Sequence, residues 1–275
     1  MEVNKIYNMD CVEGMKRIPD NSIDLTVTSP PYDNLRKYNG FSLDFEQCAR
    51  ELYRITKPGG VVVWIVGDAV IKGSETGSSF KQALFFKECG FYLHDTMIYE
   101  KAGCSLPSPN RYLQCFEYMF ILSKGKPKTY NLICDRKNRF RRWGKTVQVR
   151  EQDGSQTVRQ TTPFREYGRR YNIWRYVAGL ASTDAKVFNH PAVFPEQLVA
   201  DHIVSWSNPG DIVHDPFMGS GTTAKMAIKL DRQFIGFEIS EEYCNIANQR
   251  IKTAYQEEKT YVKPHHHHGT TRPRS

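Results

Sequence analysis

Short apolar runs alternate with segments of helical periodicity in the first 123 residues of the chain. Residues 61–66, VVVWIV, form a continuous apolar run with the length of a buried strand, whereas the apolar residues from Phe45 to Ile55 recur at the spacing of one helix face. The predicted strands are residues 3–7, 22–28, 61–66, 92–100 and 118–122, and the predicted helices are residues 45–55 and 80–89. This alternation predicts an α/β fold with a mostly parallel sheet and helices on both of its faces.

The alternation returns near the end of the chain, after a long interruption. Residues 124–189 are polar and basic, contain scattered Gly and Pro, and lack this alternation. A stretch of this length without regular elements is uncommon in a compact fold and is often functional or flexible. Beyond it, helices are predicted at residues 195–207, 221–230 and 240–251, and strands at residues 211–215 and 233–238. We therefore expect one α/β domain in two halves, residues 1–123 and 190–255, with an inserted region at 124–189 and a disordered tail at 256–275.

The positive charge of the chain is concentrated in the inserted region. The net charge is +8, but residues 124–175 hold fifteen Lys and Arg against four acids, a net of +11, so the remaining residues together carry −3. A basic segment of this kind is typical of a surface that contacts nucleic-acid phosphates. The candidate residues for contacts to nucleic-acid phosphates are Arg136, Lys137, Arg139, Arg141, Arg142, Lys145, Arg169 and Arg170.

Other features of the composition exclude several classes of protein. The seven cysteines are scattered and form no CxxC pair, which argues for reduced thiols in a cytoplasmic protein and against a disulfide framework or a zinc site. No apolar run reaches the length of a membrane span, and the first residues lack the pattern of a signal peptide. The run His265–His268 is typical of a disordered or added end, so we predict no metal site.

A glycine-rich turn in the second half of the chain is a candidate ligand site. Residues 211–223, DIVHDPFMGSGTT, predict a strand, a turn and the start of a helix, where the backbone N–H groups near Gly219 and Gly221 can approach a ligand. Glu238, at the end of the next predicted strand, is placed to accept the hydroxyls of an adenosine ribose. Asp215 would repel a pyrophosphate, which disfavours NAD, but it suits the cationic S-adenosyl-L-methionine. A tight turn without any ligand is the alternative.

A second candidate site follows the strand predicted at residues 22–28. This strand ends on Ser29-Pro30-Pro31-Tyr32. The turn is rigid because each proline ring fixes its φ angle. It is rich in acceptor oxygens because neither proline can donate a hydrogen bond. By itself the turn is either a rigid strand end or an acceptor site for an amino group.

The two sites together resemble the amino-group DNA methyltransferases. The order of the catalytic motif, basic segment and cofactor motif is similar to that of the beta class, and the resemblance covers about residues 5–251. Further matching motifs are NMD at 8–10, PDNSID at 19–24, RITKPGG at 54–60, FEY at 116–118, NIW at 172–174 and HPAVFPE at 190–196. The resemblance implies a Rossmann-like S-adenosylmethionine-dependent methyltransferase fold and double-stranded DNA as the partner.

The resemblance also implies roles for individual residues. Ser29 and the Pro30 carbonyl would accept hydrogen bonds from an exocyclic amine, Pro31 would make the turn rigid, and Tyr32 would stack on a base flipped out of the duplex. Asp10 would contact the adenine of the cofactor, and the motif at 190–196 would pack beside its methionine end. The expected cofactor-binding residues are Asp10, His190, Pro191, Phe194, Asp215, Phe217, Gly219, Ser220, Gly221, Thr222, Thr223 and Glu238.

The base that is methylated is less directly indicated. Within this family, Ser before Pro-Pro-Tyr more often marks N4-cytosine enzymes, and Asp or Asn more often marks N6-adenine enzymes. We expect N4-cytosine, with N6-adenine as the alternative. Methylation of the cytosine ring carbon is disfavoured because the chain has no Pro-Cys pair to supply a nucleophile.

Two alternatives and two further expectations concern the wider role of the protein. A DNA-binding protein that has lost catalysis and an RNA or protein methyltransferase stay open as alternatives. The intact Ser29, Tyr32, Asp215 and Glu238 disfavour the first, and the inserted basic segment disfavours the second. The resemblance also implies a bacterial or phage-type enzyme associated with the nucleoid, for which a companion restriction endonuclease is a conceivable partner.

Overall fold

Among the residues that the structure describes, eight strands form one sheet. The structure is a computed structural model that describes residues 1–31, 43–103, 110–139, 146–160, 165–177 and 194–260. The helices are α1 Cys11–Met15, α2 Phe45–Ile55, α3 Ser78–Glu88, α4 Glu196–Trp206, α5 Thr222–Lys229 and α6 Glu241–Thr260. The strands are β1 Lys5–Asn8, β2 Ile23–Thr28, β3 Thr56–Val66, β4 Val70–Ile71, β5 Ser74–Glu75, β6 Tyr92–Lys101, β7 Phe116–Ser123, β8 Arg136–Lys137, β9 Thr146–Arg150, β10 Gln156–Gln160, β11 Tyr167–Gly168, β12 Ile173–Tyr176, β13 Ile212–Asp215 and β14 Gln233–Glu238.

The main sheet is mostly parallel, which confirms the predicted fold class. Its strand order is β1-β14-β13-β2-β3-β7-β6-β12. Strand β7 runs antiparallel to both of its neighbours, β3 and β6, and the other strand pairs of this sheet are parallel. The sheet therefore has one edge where the parallel strands end. We call this the carboxyl edge, and open α/β sheets bind their ligands there.

Helices cover both faces of the sheet. Successive residues of a central strand point to opposite faces, and in these strands the residues on both faces are apolar. In β3, Val63 packs in a cluster that includes Leu198 of α4, whereas Trp64 packs in a second cluster that includes Leu52 of α2 and Phe86 of α3. These side chains are fully buried. A strand that is buried on both faces reads as a continuous apolar run, which explains the sequence of residues 61–66.

The inserted region contributes one strand to the main sheet. Strand β12 lies within residues 124–189, yet it pairs in parallel with β6 and forms one edge of the main sheet. Trp174 of β12 is 6% exposed, whereas its neighbour Ile173 is 56% exposed, so only one face of this short strand is buried. The strand pairs β8–β11 and β9–β10 lie outside the main sheet.

The last helix extends further than the sequence predicts. The Ser240 hydroxyl accepts a hydrogen bond from the Tyr243 backbone N–H at 3.4 Å, as expected of a residue that caps a helix. Helix α6 continues to Thr260, so residues 256–260 of the predicted disordered tail are helical. The rest of the tail, including His265–His268, lies outside the described residues. Among the described helices, none combines the length and the apolar character that a bilayer crossing requires.

Candidate active site

The two motifs identified in the sequence lie side by side at the carboxyl edge. Strand β2 pairs in parallel with β13, with Leu25 opposite Val213 and Thr26 opposite His214. The turn that begins at Ser29 leaves β2 directly after Thr28, and the glycine-rich turn leaves β13 directly after Asp215. The structure thus brings together two segments that are nearly 190 residues apart in the chain.

Asp215 joins the ends of these two strands. Its Oδ1 accepts hydrogen bonds from the Thr28 hydroxyl at 2.6 Å and from the Phe217 backbone N–H at 3.0 Å, and its Oδ2 accepts one from the Thr223 hydroxyl at 2.7 Å. The residue is 3% exposed, and burial raises the pKa of its carboxyl group to about 6, although these hydrogen bonds lower it. A buried carboxylate at this point gives the carboxyl edge a negative potential, which suits a cationic ligand.

Glu238 is held at the end of β14 by two backbone donors. Its Oε2 accepts from the Gly219 N–H at 2.8 Å, and its Oε1 accepts from the Ser240 N–H at 2.8 Å. Burial raises the pKa of this carboxyl group. Each carboxylate oxygen has two lone pairs, so the same oxygens can accept a further hydrogen bond from a ligand hydroxyl.

The backbone of the glycine-rich turn requires glycine at Gly219 and Gly221. Their φ angles are +52° and +81°, in the left-handed region that other residues rarely adopt. A Cβ atom on Gly221 would also lie 2.8 Å from the Cβ of Ala247, so glycine allows α5 to start close against α6. Both glycines therefore shape the start of α5, where backbone N–H groups attract electron-rich ligand atoms.

Asp10 lies at the same edge, beside Glu238. Strands β1 and β14 pair with Asn8 opposite Glu238, and the Met9 N–H donates to the Glu238 carbonyl at 3.1 Å. The Asp10 Oδ1 accepts from the N–H groups of Val12 and Glu13 at 2.8 and 3.1 Å and so caps α1. The structure thus places Asp10 close to the carboxylate expected to bind the ribose, although its contact with an adenine stays a prediction.

The remaining predicted cofactor residues fall into three groups. Phe217 is half-buried with its ring against Trp64, and Phe194 packs on the core cluster of α4, α5 and α6. The hydroxyls of Ser220 and Thr222 contact Arg250 inside the protein. His190 and Pro191 lie outside the described residues, as does the catalytic candidate Tyr32.

These residues fit S-adenosyl-L-methionine. The buried Asp215 supplies negative charge for a cation, the Glu238 carboxylate is fixed in the manner expected of a ribose acceptor, and the turn at Gly219 leaves backbone N–H groups at the start of a helix. This combination matches the adenosine and the positive charge of that cofactor. The assignment of each residue to a particular cofactor atom stays a proposal.

The structure describes the predicted catalytic turn from Ser29 to Pro31. Ser29 and Pro31 are half-buried, and Pro30 is buried. Strand β2 lies between β13 and β3, so the start of this turn emerges from the centre of the sheet rather than from its margin. A central position fixes the direction in which the turn leaves the sheet.

The structure describes five of the predicted DNA-binding residues, of which three are exposed and two, Arg136 and Arg170, are half-buried. The exposed residues are Lys137, Arg139 and Arg169. Arg136 is half-buried because its Nε donates to the Arg169 carbonyl at 3.0 Å and its guanidinium lies 4.8 Å from the centre of the Tyr171 ring. Arg141, Arg142 and Lys145 lie outside the described residues.

Arg170 differs from the expectation that it contacts DNA. Its guanidinium forms an ion pair with Asp135, donates to the Asp201 carboxylate of α4 at 2.6 Å, and lies over the Trp174 ring. The hydrogen bonds to Asp135 and Asp201 raise its pKa. Because two carboxylates already neutralise its charge, Arg170 attaches the inserted region to α4, and the geometry argues against a phosphate contact.

Comparison with known proteins identifies the family to which the chain belongs. The family model of the N6/N4 DNA methylases matches residues 23–249. The orphan methyltransferase M.BamHII of Bacillus amyloliquefaciens is 61% identical over 242 residues, which cover 86% of this chain and 91% of that protein. The type II methyltransferase M.BglII of Bacillus subtilis is 28% identical over 260 residues, which cover 90% of this chain and 68% of that protein.

Solved structures share the fold. The PvuII cytosine-N4-specific DNA methyltransferase superposes with a TM-score of 0.64 at 22% identity, covering 92% of this chain and 91% of that one. The Thermus thermophilus protein TTHA0409, complexed with S-adenosyl-L-methionine, superposes with a TM-score of 0.60 at 24% identity, covering 91% and 93%. The fold and the site thus define a Rossmann-like methyltransferase that uses S-adenosylmethionine. The chain belongs to the N6/N4 DNA methylase family, and its motif order is that of the beta class.

Proposed function

We propose that this protein is a site-specific methyltransferase of double-stranded DNA that modifies the exocyclic N4 amine of cytosine. The observation that carries the proposal is the hydrogen bond between Thr28 and Asp215. This bond fixes the start of the Ser29 turn beside the glycine-rich turn, so an amine held by one turn would lie near a methyl group held by the other. Such fixed proximity is a large part of the catalysis of group transfer.

The chemistry requires acceptor oxygens because an exocyclic amine is a poor nucleophile. Its lone pair is delocalised into the base ring, and hydrogen bonds from both of its N–H groups to acceptors shift the nitrogen toward a tetrahedral form. The Ser29 hydroxyl and the Pro30 carbonyl are the acceptors we propose. Pro31 limits the movement of the turn, so little reorganisation is needed during the reaction.

The rest of the reaction follows from direct transfer. When bound, S-adenosylmethionine supplies an electrophilic methyl group. Asp215 and Glu238 would fix the positive charge and the ribose at the carboxyl edge, and Ser29 and Pro30 would hold the amine opposite. The target base must leave the duplex to reach these oxygens, and we propose that Tyr32 stacks on the flipped base.

The choice of cytosine depends on Ser29. A serine in this position more often marks N4-cytosine enzymes in the family that the sequence resembles, whereas the shared fold with the PvuII enzyme carries no information on the base. N6-adenine is the second candidate, because a serine hydroxyl can accept the same hydrogen bond from the adenine amine.

We propose that the exposed basic residues of the inserted region supply the DNA contacts. Lys137, Arg139 and Arg169 present positive charge to solvent, and contact with phosphates would position the protein on the duplex. The relative M.BamHII is called an orphan methyltransferase, and we propose no companion restriction endonuclease for this chain. A related protein that only binds DNA is disfavoured because Asp215 and Glu238 are both held in place by hydrogen bonds.

Mass spectrometry of modified DNA tests the proposal. Purified protein is incubated with unmethylated genomic DNA and S-adenosylmethionine, and the DNA is digested to nucleosides. We expect N4-methylcytosine. N6-methyladenine as the product would replace the assigned base, and 5-methylcytosine would contradict the mechanism. DNA binding without any methylated product would favour the protein that only binds DNA.

A further inference from the structure

Helix α6 contributes a buried arginine directly behind the glycine-rich turn. Arg250 is 2% exposed. Its Nη1 donates to the Ser220 carbonyl at 2.6 Å and lies 3.1 Å from both the Ser220 hydroxyl and the Thr222 hydroxyl. One guanidinium thus contacts the backbone and two side chains of the turn between Gly219 and Thr223. No local sequence signal marks Arg250, because a single arginine within a charged helix is ordinary.

The other side of the same guanidinium contacts an acid from a different element. Arg250 Nη2 donates to Oε1 of Glu196 at 2.8 Å, and the Nζ of Lys225 donates to the same oxygen at 2.8 Å. Lys225 is 4% exposed and belongs to α5, the helix that the glycine-rich turn begins. Glu196 is the first residue of α4 and the last residue of the HPAVFPE motif at 190–196. The cluster therefore connects α4, α5 and α6 at the start of α5.

A buried ionic cluster of this kind is poorly explained by stability alone. Taking charges out of water costs free energy, and replacing a buried ion pair with well-packed apolar residues is often neutral or stabilising. Such clusters do, however, fix a single geometry, because each hydrogen bond has a preferred direction. The geometry fixed here is that of the Ser220 peptide unit.

We propose that Arg250 is a positioning residue for the cofactor, with Glu196 holding its guanidinium in place. By binding the Ser220 carbonyl from behind, Arg250 holds the glycine-rich turn in the conformation in which the Gly219 N–H donates to the Glu238 carboxylate and the Gly221 N–H donates to the Met218 carbonyl. The inference deepens the cofactor site of the proposed function and rests on that site. It does not depend on which base is methylated.

The requirement is for arginine rather than for positive charge. The planar guanidinium presents two nitrogens in a fixed fork, so Arg250 contacts the turn with Nη1 and Glu196 with Nη2 at the same time. The single ammonium group of a lysine, on a shorter and flexible side chain, cannot hold both contacts in this geometry. Arg250→Lys is therefore the informative substitution, since it keeps the charge and removes the fork.

Calorimetry and steady-state kinetics test the role. We expect Arg250→Lys to raise both the Kd and the KM for S-adenosylmethionine about ten-fold, because hydrogen bonds of a charged group are lost. The kcat at saturating cofactor should stay within about two-fold, because Arg250 touches no reacting atom. Lys252→Met, an exposed position on the same helix, is the control and should leave both constants unchanged. Transfer of labelled methyl groups to either base is counted, so an incorrect cytosine assignment would not affect this test.

Two results would overturn the proposal: a folded Arg250→Lys protein with unchanged cofactor affinity, or a fall in kcat with an unchanged KM. Glu196→Gln provides a second variant if Arg250→Lys does not fold, and it should raise the Kd about three-fold, because Arg250 loses its charged partner. An unchanged Kd in that variant also counts against the proposal. The variant that carries both Arg250→Lys and Glu196→Gln should have a Kd for S-adenosylmethionine no higher than that of Arg250→Lys alone. Fully additive losses of binding free energy would show that the two residues act independently and would count against the proposal.

Discussion

The Thr28 hydroxyl donates a hydrogen bond to Asp215 Oδ1 at 2.6 Å, and both residues are buried. Thr28 is the last residue of β2, and Asp215 is the last residue of β13. This contact sets the distance between the turn that would hold the amine and the turn that would hold the cofactor. It explains why a threonine, rather than an apolar residue, ends a strand in the centre of the sheet.

Replacing Thr28 with valine should destabilise the protein by ~1–3 kcal/mol, because a buried carboxylate loses one of its donors while the shape of the side chain is kept. Urea denaturation measures this loss. Thr26→Val is the matched control on the same strand. Its hydroxyl lies 3.3 Å from His214 Nδ1, a ring whose pKa burial lowers to about 3, so it contacts a neutral partner and should cost less. Equal losses in the two variants would contradict the importance of the Thr28–Asp215 bond.

The pH dependence of stability should report on Asp215. Its pKa of about 6 in the folded protein lies above the ordinary value of 3.8, so the folded protein holds this proton more tightly than the unfolded chain does. Ionisation of Asp215 therefore costs stability as the pH rises through this window, and the cost is complete above about pH 6. Relative to the wild type, Asp215→Asn should gain about 2 kcal/mol between pH 4 and pH 7.

Denaturation curves at several pH values test this expectation for the protein without cofactor. Asp95→Asn, an exposed position on β6, is the control and should show the same pH dependence as the wild type. A constant difference between Asp215→Asn and the wild type from pH 4 to pH 7 would mean that the pKa of Asp215 is not raised in the folded protein. In either case Asp215→Asn should bind S-adenosylmethionine more weakly, because the negative charge is gone.

Removal of the Glu238 side chain should weaken cofactor binding without unfolding the protein. We expect Glu238→Ala to cost about 1–3 kcal/mol in the binding of S-adenosylmethionine, as measured by calorimetry, because charged hydrogen bonds to the ribose would be lost. Glu241→Ala, in the exposed first turn of α6, should bind as the wild type does. Unchanged affinity in Glu238→Ala would remove this residue from the cofactor site.

Ser29→Ala should slow the chemical step more than it weakens binding. The serine hydroxyl is needed most when the amine becomes tetrahedral, so its loss should lower kcat while the affinities for DNA and cofactor stay close to those of the wild type. Single-turnover kinetics with labelled cofactor measure the chemical step directly. A full rate in Ser29→Ala would show that another group accepts the hydrogen bond from the amine.

The salt dependence of DNA affinity should identify the phosphate contacts. Lys137→Ala combined with Arg139→Ala should reduce the slope of log affinity against log salt concentration by about 2, because about one counterion is released per phosphate contact. Lys87→Ala, an exposed position near the end of α3 and outside the inserted region, is the control and should leave the slope unchanged. An unaltered slope in the double variant would place the DNA surface elsewhere.

Most of the secondary structure and both motifs can be predicted from the order of the residues alone. Strand β14 was predicted with the bounds that the structure shows, and α2 likewise from Phe45 to Ile55. Helix and strand periodicity are local properties, and a strand buried on both faces must be apolar throughout, so these elements can be read from a short window. The glycines of the turn are also a local signal, because a positive φ favours glycine wherever in the fold the turn lies.

Which side chains come into contact depends on the tertiary structure. The short β12 joined the main sheet although its surroundings lack any regular pattern, since its one buried residue, Trp174, is stabilised by distant contacts. Arg170 appeared in the sequence as one more basic residue, yet the fold places it between two carboxylates. The contact of Thr28 with Asp215 likewise joins residues 187 positions apart in the sequence, and the contact of Arg250 with Ser220 joins residues 30 positions apart. Such pairs depend on strand order and helix packing, which no local pattern of residues encodes.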